Sequence, residues 1–534
     1  MPNLIAYWPI AAGIAALYLL QQLWTELSHR RRAAALGCQP PYLRRGWLPF
    51  SIDHTYKAIS ALQDNEFLNL EVRSYEDLGG RTTFHQETLG RKLLMTSDPE
   101  NIKAMLATQF KEFGLGPIRY NVLEPLLGLG IFTSDGKDWQ HSRAILRPQF
   151  TRTQISNLHV EEIHVQHLLN RFERGADGWT KEVNLVPLFF NLTLDSATEF
   201  LFGKSVNTQV LGDPHAAHKT RGEKQSADDD DMEDWSSFGQ AFDSANRTMT
   251  RRFILMNLYF LYNPATFRRD CAEVRRFADY YVRRALARSP ARAAEEDGDG
   301  QYVFLNELAR ETRDPDALRN QLLNILLAGR DTTAGLLGWA TLRLAREPPA
   351  AWTALRAAVL ADFGPYSATD TSRITFESLK ACAPLQHVLS ETLRLHPSVP
   401  TNFRRALRDT TLPRGGGADG QSPVYVRAGS EIAYSTNVMH RRPDVWGPDA
   451  AEFRPERWEG KKVGWEYLPF NGGPRICLGQ QFALTEAAYV LVRLLQRYDA
   501  IENLDPSPTI KSNLTLTSSP VQTLVRLHEA TDAI

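Results

Sequence analysis

The 534-residue chain is poor in cysteine and carries almost no net charge. Its four cysteines are far apart and form no CxxC pair, and in a protein that faces the cytosol they are expected to be reduced thiols rather than a disulfide framework. They are Cys38, Cys271, Cys382 and Cys477. The chain has 61 basic and 62 acidic residues, which gives a net charge of −1. Since no basic stripe with interleaved aromatic residues is present, the sequence indicates no nucleic-acid partner.

Charged side chains are also missing from residues 1–25. The stretch from Leu4 to Trp24 is almost wholly apolar, and a helix of that length spans roughly 31 Å, enough to cross a lipid bilayer. Arg30, Arg31 and Arg32 follow it, so the positive-inside bias places the remainder of the chain in the cytosol. A cleaved signal peptide would carry its basic residues before the apolar run. A buried core helix is the other alternative.

The sequence therefore predicts a single-pass anchor at 1–28, a basic and proline-rich linker at 29–50, and one large domain at 51–534. The pattern of that domain is mainly α with a small β portion. Helices are predicted over 154–172, 192–202, 267–287, 315–346 and 478–498, strands within 83–96, and a hairpin over 514–527. The polar segments 220–234 and 289–300 have too few apolar residues to form a core and are predicted to be loops.

The most informative segment runs from Phe470 to Gly479 and reads FNGGPRICLG. Cys477 lies just before a predicted helix, where free backbone N–H groups and the helix dipole favour a thiolate. Glycines on both sides leave room for a flat macrocycle, Arg475 can meet an anionic propionate, and Phe470 can shield the sulfur from water. The alternative is a structural cysteine beside a glycine-rich turn.

This decapeptide matches FxxGxRxCxG, and the chain resembles the cytochromes P450. The resemblance implies the P450 fold for residues 51–534, haem b (iron protoporphyrin IX) as cofactor, and Cys477 as the axial ligand of the iron. It also implies haem contacts for Phe470, Arg475 and Gly479. A thiolate on haem iron favours cleavage of the O–O bond of bound dioxygen.

Three further motifs support the resemblance. Glu391 and Arg394 resemble the ExxR pair, which Arg457 completes as a buried structural triad. Asp331 and Thr332 lie within AGRDTT on the long predicted helix and resemble the oxygen-activation segment, which implies proton relay as their role. A solvent-facing polar patch is the alternative for that segment, although its apolar flanks indicate a buried helix.

The family also contacts the haem propionates through arginines elsewhere in the chain. Trp139 and Arg143 resemble its WxxxR motif. Arg404 resembles a further propionate partner, but its neighbour Arg405 could occupy that position instead. For single arginines a surface position is the usual alternative.

Three segments are closer still to the fungal n-alkane- and fatty-acid-hydroxylating cytochromes P450, namely 391–406, 411–417 and 470–495. That likeness implies an enzyme of the endoplasmic reticulum membrane that receives electrons from NADPH through NADPH–cytochrome P450 reductase. Its hydrophobic substrate would be a long aliphatic chain hydroxylated at or near the terminal carbon. The segments 114–131 and 516–520 are candidates for lining a substrate channel, or for ordinary core packing. His396, where tyrosine is common, and the acidic 220–234 segment are less typical.

Other functions remain open at this point. A fungal P450 acting on a secondary metabolite or xenobiotic is the alternative within the monooxygenases. A non-catalytic haem-binding protein is the alternative outside them, although such a protein has no need of Asp331 and Thr332. A haem-thiolate isomerase or peroxygenase would need no reductase.

Overall fold

The computed structural model describes residues 4–152, 158–211, 235, 237–287 and 302–531, of which 4–11 and 211 are described by their backbone alone. Its α-helices are α1 (Leu4–Ala35), α2 (Ile52–Gln63), α3 (Phe67–Glu76), α4 (Pro99–Lys103), α5 (Gly116–Leu127), α6 (Gly136–Leu146), α7 (His159–Asn170), α8 (Leu185–Phe202), α9 (Thr208–Leu211), α10 (Phe238–Ile254), α11 (Ala265–Ala287), α12 (Phe304–Glu311), α13 (Pro315–Arg346), α14 (Pro349–Phe363), α15 (Phe376–Ala381), α16 (Ala383–Leu395), α17 (Thr436–Met439), α18 (Pro443–Trp446) and α19 (Gln480–Arg497).

The strands are fewer and shorter. They are β1 (Tyr42–Arg44), β2 (Thr83–Thr88), β3 (Arg91–Thr96), β4 (Phe113–Gly114), β5 (Val183–Asn184), β6 (Thr401–Ala406), β7 (Thr410–Gly416), β8 (Ser422–Val426), β9 (Glu431–Ser435), β10 (Tyr498–Asn503), β11 (Ser512–Leu514), β12 (Ser518–Pro520) and β13 (Leu524–Glu529). One six-stranded sheet has the order β1-β2-β3-β9-β6-β4, and a three-stranded sheet has the order β10-β13-β5. The mainly α class with a small β portion is thus confirmed.

Helix α13 forms the centre of the domain. It begins where predicted, because the Asp314 carboxylate accepts hydrogen bonds from the amides of Asp316 (3.0 Å) and Ala317 (3.4 Å), and Pro315 occupies the first turn. It packs against α8, α11, α16 and α19. Leucines on all its faces are buried, and each contributes about 1.5–3 kcal/mol to folding.

Other sequence expectations were met less completely. The helix predicted over 154–172 is described from His159 to Asn170, and the two predicted polar loops lie outside the described residues. The predicted 514–527 hairpin is divided in the structure. Strands β11 and β12 pair with each other, whereas β13 pairs with β10 and β5. The segment predicted as a channel loop, 114–131, contains α5.

The N-terminal helix runs without a break to Ala35, so residues 29–35 of the predicted linker are helical. Its C-terminal part is held against the domain by ion pairs of Arg32 with Asp409 (2.8 Å) and of Glu26 with Arg427 (2.6 Å). Among the described residues, α8 is the one helix long and apolar enough to cross a membrane, and 67% of it is buried inside the protein. The N-terminal anchor stays a prediction.

Candidate functional site

A cavity of about 1210 Å³ lies between α13 and the loop that precedes α19. Ligand pockets usually measure about 300–1,000 Å³, so this one has room for more than a single small molecule. Cys477 lines it from the loop, and Ala328, Gly329 and Thr332 line it from α13. Every one of these residues belongs to a segment that the sequence singled out.

The loop that carries Cys477 is held by its own backbone. The Cys477 amide donates to the carbonyl of Phe470 (3.0 Å), and the Ile476 amide donates to that of Gly473 (3.0 Å). Helix α19 begins three residues after the cysteine, at Gln480. The thiol is exposed to the cavity but otherwise enclosed by protein. Burial raises the pKa of the Cys477 thiol, while a hydrogen bond from the Gly479 amide and the charge of Arg143 act to lower it.

The glycines of this loop serve the packing of the protein itself. Gly473 has φ +68°, and a Cβ there would lie 1.9 Å from the carbonyl oxygen of Leu106. A Cβ on Gly472 would lie 2.8 Å from the Trp465 ring. Gly479 is different, because a Cβ there would meet only Phe150, at 3.6 Å. Its predicted role beside the macrocycle stays a prediction.

Three guanidinium groups converge at one end of the cavity: Arg119, Arg404 and Arg475. Arg119 and Arg404 have no ion-pair partner within the part of the chain that the structure describes, and Arg475 pairs with Asp135 at 2.6 Å. Burial, and then the charge of Arg404, lowers the pKa of Arg119 to about 9. Burial likewise lowers the pKa of Arg475 to about 10. The Nε atom of Arg119 is buried without a hydrogen-bond partner. Such a cluster requires more negative charge than Asp135 supplies.

Trp139 and Arg143 lie beside this cluster. The guanidinium of Arg475 is 4.4 Å from the Trp139 ring centre, and that of Arg143 is 5.9 Å from it. Arg143 donates to the carbonyl of Ile476 (3.0 Å), the residue before the cysteine. The structure therefore brings together all the predicted cofactor-contact residues around one cavity.

On α13, Ala328, Gly329 and Thr332 are half-buried, whereas the residues around them are buried. The Thr332 hydroxyl donates to the Ala328 carbonyl (2.6 Å), one turn earlier on the same helix. The Asp331 carboxylate does not line the cavity. It accepts from Asn246 (3.0 Å) and Arg330 (3.1 Å), and burial raises the pKa of Asp331 to about 6 against the opposing charge of Arg330.

Comparison with known proteins agrees with this geometry. The family model described as Cytochrome P450 matches residues 76–525. The chain belongs to the cytochrome P450 family. It is 47% identical over 494 residues to "Cytochrome P450 monooxygenase g430" of Fusarium sp, covering 91% of this chain and 84% of that protein.

Two yeast proteins are similarly close. "Cytochrome P450 52A13" of Debaryomyces hansenii is 45% identical over 519 residues, covering 96% of this chain and 95% of the relative. "Cytochrome P450 52E1" of Candida apicola is also 45% identical, over 511 residues that cover 94% of this chain and 93% of the relative. The similarity thus extends over nearly the whole of each protein.

The cofactor of cytochromes P450 is haem b, and the cavity fits it. Haem b carries two propionates, which provide the negative charge that the cluster of Arg119, Arg404 and Arg475 lacks. The Cys477 thiol faces the same cavity, and as a thiolate it could bind the haem iron there. The residues present are therefore those that a bound haem requires.

Glu391, Arg394 and Arg457 are all buried. The Glu391 carboxylate accepts from Arg394 Nη2 (2.8 Å) and Nε (2.9 Å) and from Arg457 Nε (3.3 Å). It also accepts from the Arg454 amide (2.9 Å) and the Trp458 indole (3.0 Å). Burial acts against its charge, but Arg394, with the Arg454 amide and Arg457, lowers the pKa of Glu391 overall. These residues lie away from the cavity and hold the segment 446–458 against α16.

The sequence did not point to Arg119. It lies on α5, in a segment noted for its leucines and not for its charge. A single arginine in an apolar stretch could have been a signal, because a charge on a buried helix needs a partner. The structure also shows that Arg404 and Arg405 have different surroundings. Arg404 is buried and acts electrostatically on Arg119 and Arg475, whereas Arg405 pairs with Glu431 at 3.7 Å.

Proposed function

We propose that Cys477 is the axial ligand of the haem iron in a monooxygenase that hydroxylates long aliphatic chains at or near the terminal carbon. The second oxygen atom leaves as water. The observation that carries the proposal is the shared cavity of Cys477, the arginine cluster and the Thr332 face of α13. Haem held by a thiolate supplies the oxygen chemistry when it is bound.

The protein contributes position, charge and proton transfer. Arg119, Arg404 and Arg475 hold the propionates, with Trp139 and Arg143 beside them. Phe470 packs on the hydrophobic core and lines the cavity together with Cys477, where its ring would shield the sulfur from water. Thr332 lines the cavity from α13, and its hydroxyl is held by the Ala328 carbonyl at 2.6 Å. We assign it the last proton-donating position in the relay.

Asp331 supplies protons to this relay from the other side of α13. With a pKa of about 6, its carboxyl group can both take up and release a proton near neutral pH. Asn246 and Arg330 hold it away from the cavity at 3.0 and 3.1 Å. We therefore infer that proton delivery requires the Asp331 side chain to turn or to act through water.

The choice of an aliphatic substrate rests on the cavity wall and on the resemblance to the fungal hydroxylases. Leu115, Leu123 and Ile131, from the segment predicted as a channel, line the cavity, as does Leu516 from the C-terminal turn. These apolar walls favour a hydrocarbon chain over a polar metabolite. Attack on the terminal carbon requires that the chain end enter first.

We further propose that α1 anchors the enzyme in the endoplasmic reticulum membrane with residues 51–534, the haem domain, on the cytosolic side. Apolar side chains project unburied from α1, among them Ile14, Leu17, Leu20, Leu23 and Trp24. Hydrophobic substrates partition into the same lipid bilayer. Electrons would come from NADPH through NADPH–cytochrome P450 reductase.

The test is product identification by mass spectrometry from membranes that contain the enzyme, the reductase and NADPH, with a mixture of n-alkanes and fatty acids. Terminal alcohols or diacids, absent without NADPH or reductase, are expected. The matched control is Cys477→Ser, which replaces the proposed sulfur ligand by oxygen and should give no product. No oxidised aliphatic product from an enzyme with a normal carbon monoxide spectrum would refute the substrate proposal.

A further inference from the structure

Two buried carboxyl groups lie where α7, α8 and α19 pack beside α13. They belong to Glu161 on α7 and Glu486 on α19, which are 7% and 4% exposed. Glu161 accepts a hydrogen bond from the Ser196 hydroxyl at 3.0 Å, and its second oxygen has no partner. Neither carboxyl oxygen of Glu486 makes a hydrogen bond of normal geometry within the described part of the chain. No arginine or lysine among the described residues forms an ion pair with either group.

The surroundings of this pair favour the protonated form. An unpaired carboxylate costs several kcal/mol to bury, so a group in this position keeps its proton. Burial and the charge of Glu161 raise the pKa of Glu486 well above its ordinary value, while the hydroxyls of Ser196 and Thr333 act in the opposite direction. Burial likewise raises the pKa of Glu161. The pair therefore retains at least one proton at neutral pH.

A histidine connects the pair to the protein surface. His164 follows Glu161 by one turn of α7, and its Nε2 atom lies 2.8 Å from the carboxylate of Glu199, which is 19% exposed. Burial lowers the pKa of His164, but Glu199 and Glu161 raise it overall. Glu162, which also faces the pair, is engaged by Arg493 at 2.8 Å. A proton that the pair gives up can thus be replaced from solvent through Glu199 and His164.

Thr333 connects the pair to the cavity. It lines the cavity beside Thr332 and is otherwise buried. The Thr332 hydroxyl is held by the Ala328 carbonyl at 2.6 Å, whereas the Thr333 hydroxyl has no partner of normal geometry among the described residues. Thr333 lies close enough to Glu486 to favour its charged form. Since successive helix residues point about 100° apart, Asp331 and Thr333 flank Thr332 on different sides of α13.

We propose that Glu486, which shares a proton with Glu161, supplies protons to the cavity through the Thr333 hydroxyl. This inference rests on the proposed function and adds a second proton supply, on another side of α13 from Asp331. Hydroxylation of one C–H bond by one dioxygen molecule consumes two protons and two electrons and releases one water. The reductase delivers the electrons. A proton supply on each side of Thr332 provides both protons without waiting for Asp331 to be protonated again. Glu486 does not line the cavity, so it acts only through Thr333.

The test measures the product and the hydrogen peroxide formed per NADPH by the full-length holoenzyme with reductase and the aliphatic chain that wild type oxidises best. Glu486→Gln keeps the shape of the side chain but removes the acidic proton. It should lower the product formed per NADPH by about fivefold while hydrogen peroxide rises, and Glu486→Asp should recover part of the loss. Thr333→Val should have the same effect as Glu486→Gln. The double variant should be no worse than either single variant, because the two groups act in series.

The matched control is Glu71→Gln, the same change at a buried carboxyl group on α3 that is remote in sequence from this pair. Glu71 accepts hydrogen bonds from Thr401 (2.9 Å) and Asn437 (3.2 Å), which glutamine can also accept. This variant should form as much product per NADPH as wild type does.

The rate of product formation in H₂O and in D₂O separates proton supply from a merely structural role. The ratio of the two rates should be larger in Glu486→Gln than in wild type, because proton delivery then limits the rate. The haem content of the variant should remain that of wild type. If Glu486→Gln holds no haem, the same measurements on Thr333→Val decide the question.

Wild-type coupling in Glu486→Gln would overturn the proposal, as would a loss of coupling with an unchanged ratio of rates in H₂O and D₂O. Additive losses in the double variant would also overturn it, because the two groups would then act separately. If wild type forms aliphatic product and only these expectations fail, the monooxygenase survives without this second supply. If wild type itself forms no such product, the proposed function fails and this inference fails with it.

Discussion

Replacing Glu391 by alanine should strongly destabilise the protein, although this residue touches neither cavity nor cofactor. Glu391 and Arg394 are fully buried, and the carboxylate accepts five hydrogen bonds. Without it, the guanidinium of Arg394 keeps its bonds to the carbonyls of His440 (2.8 Å) and Ala450 (2.7 Å) but has no counter-charge. Removing one partner of a buried ion pair costs about 3–5 kcal/mol.

This loss is a large fraction of the total stability, which is only about 5–15 kcal/mol for a typical domain. It should also depend on pH. The pKa of Glu391 is lowered in the folded state, so its contribution is complete above the unfolded value of about 4.5 and is lost as pH falls through the folded value. Wild type should therefore lose this stabilisation in acid, and Glu391→Ala should not.

Urea denaturation, followed by the carbon monoxide spectrum of the reduced haem and by far-UV circular dichroism, measures the difference. The control is Glu307→Ala, which breaks an exposed pair of the same spacing, Glu307 with Arg310 at 2.5 Å. An exposed pair contributes about 0–1 kcal/mol, so this variant should denature almost as wild type does. Equal midpoints for the two alanine variants would refute the reasoning about the buried triad.

Three further predictions follow from the site. Thr332→Ala should lower the product formed per NADPH by roughly tenfold or more while hydrogen peroxide rises, and Thr332→Ser should restore the wild-type ratio. An unchanged ratio of product to NADPH in Thr332→Ala would contradict a proton-donating role. Gly473→Ala should impair haem incorporation, because the new Cβ would lie 1.9 Å from the Leu106 carbonyl oxygen. The control Gly460→Ala, at φ +64° with open space around it, should lower the free energy of unfolding by only about 1–2 kcal/mol. Equal haem content in the two variants would contradict this prediction. Asp331 has its pKa raised to about 6, so its stabilising effect is lost as pH rises from about 4 to 6. Asp331→Asn should abolish that part of the pH dependence of the unfolding free energy measured in urea, which amounts to at most about 3 kcal/mol. An unaltered pH dependence in this variant would contradict the raised pKa of Asp331.

Local signals in the sequence were sufficient to predict where the central helix α13 begins and where the cysteine loop lies. Asp314 and Pro315 mark the start of α13 because capping acts over three or four residues. The loop motif is likewise contiguous, from Phe470 to Gly479. For such elements, the contacts that define the structure lie within the segment that predicts it.

Features that depend on contacts between distant segments were not predictable. Arg119 joins Arg404 and Arg475 only because α5 and β6 come together in the fold. The 514–527 segment divides because β13 finds partners in β10 and β5 rather than in its neighbours. Asp331 and Thr332 were grouped because they are adjacent, yet successive residues on a helix point in directions about 100° apart. Only Thr332 can therefore face the cavity.

The most direct test of the central claim is the carbon monoxide difference spectrum of reduced holoenzyme with and without the Cys477 sulfur. Wild type and the control Cys382→Ser, which alters a buried thiol outside the cavity, should both show the spectrum of thiolate-bound haem. Cys477→Ser should lose it while the protein still binds haem through the arginine cluster. A thiolate spectrum that persists in Cys477→Ser would show that another residue binds the iron and would contradict the account.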